Sequence, residues 1–206
     1  MNNKSLIKKV KNLPVPILPT MVGAFTLSNI YSGMGYTWVR HITAWAAIAV
    51  ILSYILKICF HFDTVKKEYS NTVPASLYAG FTMLTMLLGS YFYNASPVFG
   101  KTLWFVGLIL HAIQILVFTY NNVIKNFNMQ TFLPSWFVTY NGIMVSTVVG
   151  GVMNEPLIGK IVVYYGIAVF TVIIPFMIYR LAKHEIKDPV YHTQAILLAP
   201  SSLCLV

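Results

Sequence analysis

Six apolar stretches, near residues 14–36, 41–60, 74–94, 98–120, 132–153 and 157–180, constrain this chain more than any other feature. None of them contains an aspartate or a glutamate. A helix needs about 20 apolar residues to cross a hydrocarbon core about 30 Å thick. The expected fold class is therefore an all-α membrane protein with six transmembrane helices. Overall composition agrees, with 57% hydrophobic and 9% charged residues, where a soluble domain carries about 25% charge. A seventh apolar run starts near Ala195 and stops at Val206, too short to cross. Residues 195–206 are expected either to lie on the surface or to be the stub of a seventh helix. In the second case 1–206 is a single, incomplete transmembrane domain.

The distribution of charge orients the spans. With six crossings and the N-terminus in the cytoplasm, one side holds Lys4, Lys8, Lys9, Lys11, Lys57, Lys66, Lys67, Lys125, Arg180, Lys183 and Lys187. The other holds Arg40, Lys101 and Lys160. That imbalance follows the positive-inside rule and predicts a multi-pass protein of the cell membrane with a cytoplasmic N-terminus. The basic clusters then orient the chain and meet anionic lipid, and nucleic acid is not an expected partner. Lysines before an apolar run mimic a secretory signal. Pro14, Pro16 and Pro19, and the five spans that follow, make this run an uncleaved first helix instead.

The spans alternate in character. The first carries Thr20, Gly23, Thr26, Ser28, Asn29, Ser32, Gly33 and Gly35, and the third Ser76, Gly80, Thr82, Thr85, Gly89, Ser90 and Asn94. The second and sixth are greasy, and the fourth is plain apart from His111 and Gln114 near its middle. In the fifth, Ser135, Thr139, Gly142, Ser146 and Gly150 recur at steps of three or four, which predicts one small-residue face on a continuous helix. Pro74 and Pro134 open the third and fifth spans alike, a weak internal repeat. Helical hairpins are expected near 14–60, 74–120 and 132–180, with odd helices inside and even helices outside.

Small faces serve either close helix packing or the wall of a passage, and the sequence leaves both open. The candidate pore-lining residues are Gly23, Thr26, Gly33, Ser76, Gly80, Ser135, Thr139, Gly142, Ser146 and Gly150. With no carboxylate in the spans, such a passage offers cations no counter-charge, whereas hydroxyls and backbone N–H groups meet anions weakly. The electrostatics lean towards a small anion. His111 and Gln114 read as a buried polar pair, Phe25 and Phe81 as core aromatics, and Glu155 as a turn residue.

Signals of other chemistry are poor. The five histidines show no paired metal spacing, and no nucleophile, phosphate-loop or dinucleotide motif stands in its proper context. Cys59 and Cys204 form no disulfide or metal pattern. The cluster His184, Glu185, Asp188 and His192 reads as a charged loop. No catalytic residue, metal or cofactor is expected.

Several diffuse motifs resemble the tellurite-resistance/dicarboxylate transporter family, which includes bacterial tellurite-resistance proteins and plant slow anion channels. They are Leu13-Pro14 before the glycine-rich first span, the basic loop before Val73-Pro74-Ala75-Ser76, and Phe132-Leu133-Pro134 opening the fifth span. Arg180-Leu181 and Leu198-Ala199-Pro200 complete the set. The resemblance runs along essentially the whole chain. It implies helical hairpins around a quasi-fivefold axis, inner odd helices lining an anion pore, and a homotrimer. Chloride, nitrate, malate and other C4-dicarboxylates, sulfite and tellurite-related species are the anions it implies. By that resemblance the chain is C-terminally truncated after a stub of helix seven, and the family's gate phenylalanine maps to no residue here. The alternative expectation is a non-conducting membrane remnant or an interaction piece of a split transporter.

Overall fold

The computed structural model describes residues 9–186 and 188–204. Lys4, Lys8 and Lys187 of the charge count and Val206 of the expected stub lie outside them, as does the side chain of His192.

The first two spans form helices α1 (Ile17–Gly33) and α2 (Thr37–Phe60). They are joined by a turn in which Gly35 adopts φ +97°, a conformation that side chains resist. An amphipathic helix, α3 (Phe62–Tyr69), follows. The third span is α4 (Thr72–Leu77) and α5 (Ala79–Tyr93), interrupted at Tyr78. The fourth is α6 (Pro97–Thr119), which continues into a π-helical turn over Tyr120–Lys125. Ser96 caps α6 and Pro97 opens it, at the position where a missing N–H costs nothing. The sixth span is α9 (Pro156–Lys183), and the chain ends in a 3₁₀ stretch (Asp188–Leu197) and the short α10 (Leu198–Leu203). No strand occurs among the described residues.

Among those residues, four helices are long and apolar enough to cross a membrane: Thr37–Phe60, Thr72–Tyr93, Pro97–Lys125 and Pro156–Lys183. Helix α1, with 17 residues, reaches about 26 Å at 1.5 Å per residue. The chain is an all-α membrane protein.

The fifth stretch departs from the continuous helix expected. It breaks into α7 (Trp136–Tyr140), a 3₁₀ turn (Gly142–Met144), α8 (Val145–Val148) and a second 3₁₀ turn (Gly150–Met153). Glycines and β-branched residues weaken its helix propensity. Irregular backbone at membrane depth is tolerated where protein encloses it, and every residue from Phe132 to Ser146 is buried. The spacing of its small residues therefore does not place all five on one helical face.

Burial separates inner from outer elements. In the Thr72–Tyr93 span 78% of the most apolar window is buried, against 22%, 28% and 17% in Thr37–Phe60, Pro97–Lys125 and Pro156–Lys183. The latter three expose large apolar side chains such as Trp45, Leu116 and Phe176.

Lipid tails supply no hydrophobic drive for helix pairing, so close van der Waals approach must supply it. Helices α5 and α6 meet backbone to backbone at glycines. A Cβ at Gly100 would fall 2.5 Å from the Tyr93 backbone, and one at Gly89 2.7 Å from the Trp104 nitrogen.

At the lysine-rich end, α3 folds back onto a buried cation. Lys57 Nζ lies 2.8 Å from Glu68 Oε1 and donates to the Leu13 carbonyl at 2.7 Å. Tyr78 donates to the other Glu68 oxygen, and Tyr54 to the Pro14 carbonyl at 2.9 Å. This cluster fastens the entry segment, the first hairpin and the third span together. Arg180, also buried, donates to the carbonyls of Met129, Gln130, His184 and Glu185 and so closes the end of α9.

Candidate functional site

Two regions gather the small and polar residues of the odd spans. The first is a close-packed seam where the third and fifth spans cross. The second is an open cavity at the end that carries Arg40.

In the seam, breaks in helical geometry are satisfied by side chains. Thr139 Oγ1 donates to the Ser76 carbonyl at 3.1 Å, and Gln114 Nε2 to the Ala75 carbonyl at 3.3 Å. His111 Nε2 lies 2.9 Å from the Thr139 carbonyl, and Nδ1 lies 2.6 Å from Thr82 Oγ1. A carbonyl can only accept, so Nε2 carries the proton, and in a neutral imidazole Nδ1 accepts from the threonine hydroxyl. His111 and Gln114 are thus not a pair. Each answers a different carbonyl on a different span.

Of the sequence candidates, Thr26 lines the open cavity, several lie in the seam, Gly23 and Gly33 lie on the surface, and Ser146 and Gly150 line a separate cavity together with Glu155 and Lys160. Ser76, Gly80, Thr139 and Gly142 belong to tightly packed contacts. Ser76 donates to the Val73 carbonyl at 2.7 Å. A Cβ at Gly80 would fall 2.8 Å from Pro19 N, and one at Gly142 2.8 Å from Met83 Sδ and 2.9 Å from His111 Cε1. Ser135 and Ser146 are buried, with hydroxyls that find no hydrogen-bond partner among the described residues. The Ser146 carbonyl accepts from Trp104 Nε1 at 3.2 Å. A Cβ at Gly150 would fall 3.6 Å from the Trp104 ring. Gly23 and Gly33 are exposed, with nothing within 4 Å of an added Cβ. Phe25 is a core aromatic, edge-on to Tyr91.

Thr26 lines the cavity at the other end, of about 560 Å³. Asn29 and Ser32 join it from α1, Ser90 from α5, and Val148, Val149, Gly151 and Val152 from the fifth stretch. All three odd spans therefore meet there. Arg40, in the first turns of α2, completes the lining. The spans' polar content placed Asn29, Ser32 and Ser90 among their small residues without singling them out. For Arg40 the available signal was a lone cation at a span entrance with no acidic residue near it in sequence.

The cavity is electropositive by construction. Among the described residues Arg40 is the one charged group in its lining, and the first turn of α2 holds no acidic residue. Glu155 is engaged by Lys101 at 2.6 Å.

An open cavity where the three odd spans meet, with an arginine as its charged lining residue, agrees with what the family comparison finds. The chain matches the model of the SLAC1 voltage-dependent anion channels over residues 21–206. It belongs to that family. No curated protein matches it significantly. As a SLAC1-type chain it is a multi-pass membrane protein of an anion channel or transporter lineage, with a small anion as its substrate. The family match covers the third and fifth spans, the first span from Met21 onward, and every residue lining the cavity.

Proposed function

We propose that the chain passes small anions across the cell membrane along the line where the first, third and fifth spans face one another. The cavity carries this reading: three odd spans converge on it, its polar groups are neutral or cationic, and no carboxylate of the described residues lines it. Neutral hydroxyls and amides hold an anion weakly, which favours passage over capture.

Gly23, Thr26, Gly33, Ser135, Ser146 and Gly150 are the wall positions in this reading. Ser76, Gly80, Thr139 and Gly142, which sit in close-packed contacts, form its narrowest part. C4-dicarboxylates such as malate, and tellurite-related oxyanions, fall within the substrate range, beside chloride and nitrate. The exposed greasy faces of α2, α6 and α9 meet lipid or neighbouring copies in a homotrimer. The N-terminus faces the cytoplasm, supported by the eleven-to-three division of basic residues.

Cysteine scanning tests the route. Single cysteines at Thr26, Ser135, Ser146 and Gly150, in a Cys59→Ser, Cys204→Ser background, are exposed to a small charged thiol reagent during anion flux in liposomes. Modification at these sites should alter flux, while modification at Trp45 or Leu116 on the greasy faces should not. The reverse pattern overturns the route.

A further inference from the structure

Arg40 is an arginine with no acceptor among the described residues. Its Nε is buried and unbonded, and among the described residues no hydrogen bond or ion pair engages the guanidinium. What holds the group is the Tyr91 ring, whose centroid lies 5.7 Å from Cζ, and the Tyr91 hydroxyl is itself fixed by His41 Nδ1 at 2.8 Å. Cation–π contact of this kind positions a guanidinium without neutralising it. A cation in the first turns of a helix also sits against the positive end of the helix dipole, which raises its demand for a negative partner. Three neutral polar side chains lining the same cavity, Asn29, Ser32 and Ser90, likewise have no hydrogen-bond partner among the described residues. An arginine within a spanning helix that faces a cavity and lacks a carboxylate is a site for an incoming anion.

We propose that Arg40, with Asn29, Ser32 and Ser90, forms a binding site for a small inorganic anion at this mouth, and that it prefers planar oxyanions to halides. The guanidinium is a planar fork that meets two oxygens of one oxyanion with parallel hydrogen bonds, which a spherical halide cannot accept in the same way. The amide and two hydroxyls complete the ligand set with single donors. The site's role in loading the passage rests on the anion-passing reading above; its binding of an anion does not.

The test uses the full chain in detergent and in liposomes, with nitrate and chloride as probes. In detergent, nitrate should raise the thermal midpoint of the wild type more than equimolar chloride does. Arg40→Gln should weaken apparent nitrate affinity about tenfold or more, the loss expected for a charge-assisted bond. Arg40→Lys should keep chloride binding but lose the preference for nitrate. Asn29→Ala/Ser90→Ala, which leaves the arginine in place, should weaken both anions by a smaller factor and covers the case in which the Arg40 variants do not fold. Wild-type affinity and selectivity in Arg40→Gln, or in the double variant if Arg40→Gln does not fold, would overturn the site. Flux in liposomes separates the two ideas. Flux with unchanged nitrate binding in Arg40→Gln sinks the site and leaves the route standing. Nitrate binding lost with Arg40, in a chain that shows no flux, sustains the site and sinks the route.

Discussion

The imidazole of His111 on α6 donates to the Thr139 carbonyl at 2.9 Å, at the point where the fifth span stops being a regular helix. A side chain on an outer span thus supplies the hydrogen bond that the broken inner span cannot make for itself. His111 is completely buried, so the loss of this bond has no compensation from water.

Replacing His111 by leucine should therefore destabilise the protein by about 1–3 kcal/mol, the cost of a buried acceptor left unsatisfied. Denaturation followed in detergent measures it. His111→Gln, which can still donate at a similar reach, should recover part of the loss. Equal stability of His111→Leu and wild type would show that the bond contributes nothing.

The Lys57–Glu68 pair makes a second, asymmetric prediction. Lys57 is fully enclosed and Glu68 is about a quarter exposed. Glu68→Gln strands a buried ammonium and should cost about 3–5 kcal/mol. The double variant Lys57→Met/Glu68→Leu removes both charges and should be more stable than Glu68→Gln alone. The measurement is the same denaturation series, and additive losses in the double variant would contradict the pairing.

Gly23 and Gly80 look equivalent in the sequence, since each is a glycine on a small-residue span. Their surroundings differ completely. Gly80→Ala places a methyl 2.8 Å from the Pro19 nitrogen and forces backbone to move, at about 1–3 kcal/mol. Gly23→Ala meets nothing within 4 Å and should be neutral or stabilising, by up to about 1 kcal/mol from reduced chain entropy. Thermal midpoints of the two variants decide between packing and open space at each position.

Sequence patterning carried the fold a long way, for reasons visible at particular residues. The ends of the helices coincide with Pro97, Pro156, Gly35 and the Lys57 and Lys183 regions, because helix starts, turns and interfacial charges have strong residue preferences. The apolar spans were legible because the bilayer demands uninterrupted hydrophobicity. The break-up of the fifth span was not. Helical spacing of Ser135, Thr139, Gly142, Ser146 and Gly150 is present, but the partners that let the backbone leave the helix lie on other spans: His111 for Thr139 and Trp104 for Ser146. The same limit applies to the site. Arg40 could be counted as a charge, yet its stacking on Tyr91 and its freedom from any carboxylate depend on a contact across 51 residues of chain.

Orientation is open to direct labelling. A single cysteine at Lys67, in a Cys59→Ser, Cys204→Ser background, lies on the exposed face of α3. With a cytoplasmic N-terminus it should react with a membrane-impermeant maleimide only after the cells are opened. Reaction in intact cells would invert the topology.

Anion selectivity of the purified chain in liposomes tests the central claim most directly. A nitrate or chloride gradient imposed with a large impermeant cation should produce a current or a potential set by the anion. A potassium gradient with a large impermeant anion should produce none. Cation-driven potentials, or vesicles as tight to nitrate and chloride as protein-free controls, would contradict it.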